Sequence, residues 1–204
     1  SNLSGEQVLE NILNANLFTF FRQRPFNVIP NHKIPPRDIF VSGLNTAPLS
    51  VDIDVVMASQ LEDFQYGIDA ISKLTKGNVF LTTKRNSILS SIENVKLNTI
   101  SGPHPAGNVG IQIHHIAHLK PGEIVWTINP QDVASLGRLF KNGRYDSKRI
   151  ISIAGPSVKA PSYSKIIAGV PIKALINDNL TSENVRIISG DVLTGRNAST
   201  QDYL

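Results

Sequence analysis

Hydrophobic and polar residues alternate along the first 145 residues with helical and strand-like periods in turn. A capping box at Ser4–Gln7 begins an apolar helical stripe that is expected to end near Asn16. The run from 18 to 36 is irregular and rich in proline. Gly77 is expected to end a later helix. The expected strands cover 38–42, 78–82, 95–100 and 123–128, with helices over 61–74 and 87–92.

The helix after the fourth strand has the clearest boundaries. Asn129 suits the N-cap, Pro130 the first turn, and Asp132 complements the positive end of the helix dipole. Gly143 is expected to stop this helix. The alternation of strands and helices predicts an α/β sheet with parallel pairs.

The pattern changes after Tyr145, and a domain boundary is expected near Ser147. Strands are expected over 149–153, 163–167 and 185–190, with a short helix over 171–176 that begins at a proline. The run 189–196 follows a strand and is interpreted as a turn. A strand–strand–helix–strand order in about fifty residues predicts a small α+β unit.

Composition narrows the function classes. The chain has 204 residues, of which 41% are apolar, and a formal charge of +4 from scattered basic residues. Nucleic-acid binding favours a basic stripe, which is missing, so no nucleic-acid partner is expected. The absence of cysteine excludes disulfides and iron–sulfur ligation within this chain. No apolar run suits a membrane span, and a Ser1 start without a signal peptide indicates an excised soluble fragment.

Familiar catalytic and metal-binding patterns do not lead to a site. Four of the five histidines lie between His104 and His118, but His114 and His115 are expected on opposite faces of a half-exposed strand, so no metal site is predicted. Asp52 and Asp54 are expected on one face of a strand, as a charged strand edge or as an acid–base pair. Phosphate-binding glycine motifs and a nucleophile elbow are absent, so no catalytic residue is assigned.

Two segments stand out as candidate sites. Ser101–Gly107 is a glycine–proline loop that follows a strand and presents His104 from a rigid backbone. Its alternative interpretation is a tight connection that needs no ligand. The second segment places four phenylalanines around Arg22 and Arg24, namely Phe18, Phe20, Phe21 and Phe26. Such a cluster suits stacking on a flat ring, a core plug, or a contact with another protein.

Three motifs together resemble the A subunit of the sodium-translocating NADH:quinone reductase of bacterial membranes, over nearly the whole chain. They are 21–26 (FRQRPF), 102–107 (GPHPAG) and 126–133 (WTINPQDV). That family is distantly similar to the flavoprotein subunit of respiratory complex I and to the C subunit of Rnf complexes. The resemblance implies a central fragment, with a Rossmann-like domain over 1–147 and a soluble-ligand-binding β-grasp domain over 148–204.

The chain departs from the complex I flavoprotein where that protein holds its ligands. Phe20–Phe26 stands in place of the glycine-rich FMN loop, and Ser42–Pro48 lacks the carboxylates that support NADH binding. The resemblance therefore implies no flavin or NADH here. Flavins, an iron–sulfur cluster and NADH are expected on partner subunits.

The resemblance also implies a place and a role. We expect a peripheral subunit on the cytoplasmic face of the inner membrane, partnered chiefly by a membrane subunit. Ubiquinone is a candidate ligand, and Phe20, Phe21, Arg22, Arg24, Phe26 and His104 are the candidate quinone or subunit contacts. The alternatives are a purely structural adaptor and a stand-alone flavin-binding protein.

Overall fold

The computed structural model describes residues 3–182 and 184–204. The chain divides into two compact units. The first contains the residues up to Thr46 together with Asp52–Asp146, and the second contains Ala47–Val51 and Ser147–Leu204. No helix in the described ranges is both long and apolar enough to cross a bilayer.

The first unit opens with the predicted capping box. In α1 (Gly5–Asn14), the Ser4 hydroxyl accepts from the Gln7 amide at 3.3 Å and the Gln7 side chain accepts from the Ser4 amide at 2.9 Å. A 3-10 turn at Phe18–Phe20 precedes β1. The following elements are β1 (Arg22–Arg24), β2 (Ile39–Gly43), α2 (Ile53–Met57), α3 (Leu61–Ile71), β3 (Val79–Thr83), β4 (Lys96–Thr99), α4 (Val109–Ile116), β5 (Val125–Ile128) and α5 (Pro130–Asn142).

The strands form one sheet in the order β1-β5-β2-β3-β4. Four of them run parallel, and β1 pairs antiparallel with β5 at one edge. The prediction of an α/β sheet with parallel pairs is confirmed. Successive strands β2, β3 and β4 lie side by side, and the chain then crosses back to place β5 on the other side of β2. In such sheets ligands bind outside the carboxyl ends of the strands at this reversal.

Helices cover both faces of the sheet. Neighbouring Ile39 and Phe40 point to opposite faces, and neither is exposed. On one side α4 packs its Ile113 against Phe40 and Phe80. Elsewhere α3 and α5 approach so closely that a side chain at Gly137 would overlap a backbone carbonyl of α3.

Three local predictions are wrong. Asp52 and Asp54 lie at the start of α2 and not on a strand, because the Asp52 carboxylate caps the helix by accepting from the Asp54 amide at 2.9 Å. His114 and His115 lie on helix α4. Gly77 does not end α3, which instead passes into a 3-10 turn at Ser72–Leu74.

The second unit contains β6 (Lys148–Ile153), β7 (Ser162–Ile167), α6 (Ile172–Ile176), β8 (Ile187–Ser189) and β9 (Arg196–Ala198). β6 pairs antiparallel with β7, and β8 pairs antiparallel with β9. The strand β9 was not predicted. The turn expected over 189–196 connects β8 to β9, and the Asp191 carboxylate accepts from the Leu193 and Thr194 amides at 2.8 Å each.

Candidate functional site

A chain of hydrogen-bonded polar side chains lies at the carboxyl ends of β2 and β3. The buried Thr82 hydroxyl donates to Gln112 Oε1 at 2.7 Å. Gln112 Nε2 donates in turn to Ser42 Oγ at 2.9 Å and to the Ala106 carbonyl at 3.2 Å. This network ties α4 and the loop before it to two neighbouring strands.

His104 is held in the loop that precedes α4. Its Nδ1 lies 3.2 Å from Thr46 Oγ1, and the same oxygen accepts from the Gly107 amide at 2.9 Å. The His104 side chain is half-buried. Because Thr46 fixes Nδ1, the nitrogen with which this imidazole can meet a ligand is Nε2.

Two glycines at this edge of the sheet pack closely against other atoms of the chain. A Cβ on Gly43 would lie 2.7 Å from Leu89 Cδ1 and 2.8 Å from the Thr82 carbonyl oxygen. A Cβ on Gly107 would lie 2.6 Å from the Thr46 amide nitrogen. These two glycines are therefore needed for close packing of the chain against itself.

The helix that starts at the strand reversal is capped by the chain's own residues. The Asn129 side chain caps α5 by accepting from the Gln131 amide at 2.9 Å, and Pro130 has no N–H to offer. Asp52 likewise caps α2 with a carboxylate. At each of these two helix starts a side chain of this chain thus accepts from one of the first amides.

The acidic pair at α2 forms ion pairs with a lysine that follows β3. Lys84 Nζ lies 2.9 Å from Asp52 and 3.2 Å from Asp54. The hydrogen bond from Lys84 lowers the pKa of Asp52, and the same bond raises the pKa of Lys84. Asp52 therefore remains ionised at neutral pH, which does not suit it to proton transfer.

The aromatic segment separates into a buried part and an exposed part. Phe21 is fully buried, with its ring centroid 5.3 Å from that of Trp126, and Phe18 packs edge-on against the same indole at 5.4 Å. Phe20 is half-buried on the 3-10 turn. Of the alternatives open from the sequence, Phe21 serves as a core plug, because no face of its ring is free for a ligand.

The two arginines of this segment lie on edge strand β1. The Arg22 guanidinium donates to the Phe21 carbonyl at 2.9 Å and to the Thr19 carbonyl. Arg24 is half-buried, and its desolvation lowers the pKa of the guanidinium. Among the described residues, its buried Nε has no hydrogen-bond acceptor. Phe26 follows a cis Arg24–Pro25 peptide and is 77% exposed.

The sheet register places the candidate residues at two separate ends. Arg22 pairs with Thr127, and Arg24 pairs with Val125, which is the first residue of β5. The chain after Arg24 therefore leaves the sheet at the amino end of its parallel strands. His104 follows β4 at the carboxyl end. The structure does not bring Phe26 and His104 into one site.

Three further histidines cluster at the end of α4. His114 Nδ1 lies 3.1 Å from His118 Nδ1, and the His115 ring meets the His114 ring edge-on. Within the described ranges, no group of three or more His, Cys, Asp or Glu side chains is arranged to hold a metal ion.

The second unit contains a cavity of about 430 Å³ that was not expected from the sequence. Aliphatic side chains of β6, α6 and β8 line it, among them Ile151, Leu175 and Ile187. The cavity could have been anticipated from the high density of isoleucines in this part of the sequence, because its strands are too short to bury all of them. The polar residues at its wall include Ser152 and the charged residues Arg186 and Asp191.

These features define a two-unit α/β protein whose first unit is built on a five-stranded, largely parallel sheet. A family model described as "NqrA second alpha/beta domain" matches residues 3–145, and one described as "NQRA C-terminal domain" matches residues 150–200. The chain belongs to the NqrA family, the A subunits of the Na(+)-translocating NADH-quinone reductase, as its resemblance predicted.

Curated relatives with this name are similar over the whole chain. The NqrA protein from Marinomonas sp. is 38% identical over 197 residues, covering 97% of this chain and 44% of its own length. The NqrA protein from Neisseria meningitidis serogroup B is 37% identical over 209 residues, covering 100% and 46%. The chain thus spans slightly less than half the length of the curated relatives it matches.

A solved structure shares the fold at low identity. An NAD+-reducing [NiFe]-hydrogenase in the H2-reduced state superimposes with a TM-score of 0.61 and 13% sequence identity, over 92% of this chain and 41% of that one. At this identity the likeness shows the fold alone.

Proposed function

We propose that this chain forms two domains of a subunit of a sodium-pumping NADH:ubiquinone oxidoreductase. In this proposal the subunit lies on the cytoplasmic side of the membrane and serves quinone binding or assembly. Relatives carrying the name of that complex match the whole chain at 37–38% identity. We assign the first domain to the Rossmann-like class and the second to the β-grasp class.

The observation that carries the proposal is the closed carboxyl edge of the sheet. The chain keeps a sheet on which related folds bind ligands, but its own backbone and side-chain atoms pack closely against Gly43 and Gly107. Flavins, NADH and the iron–sulfur cluster are therefore assigned to partner subunits. This leaves the quinone, or the contact between subunits, as the role of this chain.

His104 is the residue we propose for quinone contact. Its Nε2 can donate a hydrogen bond to a quinone carbonyl, or pass a proton as the quinone is reduced. Thr46 would orient the ring for either role through its contact with Nδ1.

The quinone role is tested by replacing His104 with alanine in the assembled complex. We expect the KM for ubiquinone to rise by roughly ten-fold, since one hydrogen bond in a binding site contributes about 1.4 kcal/mol. The matched control is His114→Ala, which alters an exposed imidazole on α4 outside the loop. If the two variants show the same KM and kcat as the native complex, His104 has no quinone role.

The stand-alone flavin protein is the alternative that the closed edge argues against. Adding FMN to the purified chain and measuring visible absorbance after gel filtration tests it directly. We expect the chain to elute without the flavin band. Stoichiometric retention of FMN would overturn the assignment of flavins to partner subunits.

A structural adaptor is the second candidate function. The observation that favours it is the exposed apolar hairpin after β1, in which Phe26 is 77% exposed. An adaptor would need such a surface, and a quinone-binding loop would not.

A further inference from the structure

The segment between β1 and β2 exposes an unusual amount of apolar side chain. Phe26 is 77% exposed, and Val28, Ile29 and Ile34 are each about half exposed. We call residues 24–34 the hairpin surface. Single exposed apolar residues need no explanation, but four within nine residues indicate a surface that binds something.

The hairpin surface has an ordered backbone. The Gln23 amide donates to the Val28 carbonyl at 2.7 Å across the turn, and Asn27 takes a left-handed conformation at φ 55°. Further along, Asn31 accepts from the Lys33 amide through its side chain and from the Ile34 amide through its carbonyl, each at 3.0 Å. An ordered loop loses little conformational entropy on binding.

Electrostatics indicate what kind of surface would cover it. The chain has no aspartate or glutamate from Asn11 to Arg37. Arg22, Arg24 and Lys33 lie in this stretch, and none of them forms an ion pair with a described residue. Among the lysines and arginines of this stretch, Arg37 is the one that pairs with described carboxylates, those of Asp38 and Glu123.

The environment of Arg24 indicates which chemical group a binding partner would present. Its guanidinium is half-buried, and its Nε lacks an acceptor among the described residues. A partly desolvated cation is stabilised when a carboxylate approaches its accessible nitrogens, because such charge-assisted bonds are about twice as strong as neutral ones.

We propose that the hairpin surface docks into another protein of the complex, which presents an apolar hollow bordered by carboxylates. Phe26 would be the central anchor and Arg24 would meet a carboxylate at the rim, since aromatic and arginine residues dominate binding energy at interfaces. The inference rests on the proposed function and names the surface that this chain uses for assembly.

A protein fits this surface better than a lipid bilayer. Three basic residues would supply only about 1 kcal/mol each at an anionic membrane. The surface is also a turn, without the amphipathic helix typical of interfacial anchors. A carboxylate held at a fixed position stabilises a half-buried guanidinium, and a folded partner provides such a group.

The test uses the complex purified from membranes with Phe26→Asp or Arg24→Glu introduced into this chain. We expect the amount of the variant protein retained after detergent purification to fall roughly ten-fold or more, as loss of an interface anchor predicts. Ile167→Asp is the matched control, since Ile167 is 63% exposed but lies in the second unit. Unchanged thermal unfolding of each purified variant shows that the fold survives.

A photo-reactive amino acid at position 26 identifies the occupant. A cross-link to another protein of the complex supports the proposal. A cross-link within the same polypeptide or to lipid overturns it, as does normal retention of the Phe26→Asp variant. Flotation with vesicles of phosphatidylglycerol and phosphatidylcholine separates the lipid outcome, because only a membrane-binding hairpin would float.

The same experiment distinguishes the inference from the function on which it rests. If the native protein co-purifies with the complex and the Phe26→Asp variant does so equally well, only the docking surface is wrong. If the native protein fails to co-purify at all, the proposed function is wrong as well.

Discussion

Close contacts with neighbouring atoms determine which glycines near the candidate site can be replaced. A Cβ at Gly107 would lie 2.6 Å from the Thr46 amide nitrogen, so the backbone there cannot accept a side chain without moving the loop that holds His104. In contrast, a Cβ at Gly110, three residues further on, meets nothing within 4 Å.

Gly107→Ala is therefore expected to destabilise the first unit by about 1–3 kcal/mol, the usual cost of overpacking. Gly110→Ala is the control and should be neutral or stabilise the chain by ~0.5–1 kcal/mol, because alanine favours a helix more than glycine does. Urea denaturation measures each free energy of unfolding. Equal midpoints for the two variants would show that the loop adapts freely.

Two neighbouring threonines give a second contrast at the same scale. The Thr82 hydroxyl donates to Gln112, whereas the Thr83 hydroxyl is buried without a partner among the described residues. Thr82→Val leaves the Gln112 oxygen unsatisfied and should cost about 1–3 kcal/mol. Thr83→Val removes an unsatisfied group and should be neutral or stabilising. Urea denaturation measures the free energy of unfolding of each variant. A larger loss of stability in Thr83→Val than in Thr82→Val would contradict the prediction.

The boundaries of helices show which secondary-structure elements could be predicted from the sequence. The cap at Asn129, the proline after it and the stop at Gly143, whose φ is 69°, were all predicted and are all present, because capping depends on neighbouring residues alone. α4 was not predicted. Its apolar residues at 109, 111 and 113 alternate as in a strand, but the structure buries polar Gln112 beside Ile113 on a helix. Burial of Gln112 is favourable because Thr82 on β3 donates a hydrogen bond to it.

The start of α2 gives a pH-dependent prediction at the scale of an element. Lys84 lowers the pKa of Asp52 in the folded chain, so this carboxylate stabilises the fold above its unfolded pKa. That stability is lost as pH falls through the folded pKa, which lies below the ordinary aspartate pKa of 3.8. The pair is exposed, so it contributes only ~0.3–0.5 kcal/mol.

Asp52→Asn isolates the charge, because asparagine caps a helix as well as aspartate does. We expect the variant to be slightly less stable than the native chain at pH 7, and the difference to vanish near the acid end of the titration. Thermal unfolding at several pH values measures it. A difference that grows as pH falls would contradict the ion pair with Lys84.

At the scale of the whole molecule, the α/β sheet could be predicted from the sequence but the arrangement of the candidate residues could not. Hydrophobic periodicity is local, so it indicated strands and helices. The antiparallel pairing of Arg24 with Val125 joins positions far apart in the chain, and it sends Phe26 to the amino end of the sheet, away from His104. The missed cavity in the second unit depends on packing between elements in the same way.

The indole of Trp126 has a practical consequence for spectroscopy. It is the only tryptophan in the chain, and it lies buried in the first unit against Phe18 and Phe21. Intrinsic tryptophan emission therefore monitors the melting of one unit, while far-ultraviolet circular dichroism monitors both. Divergence of the two signals during a single thermal scan would reveal whether the units unfold independently, without any added label.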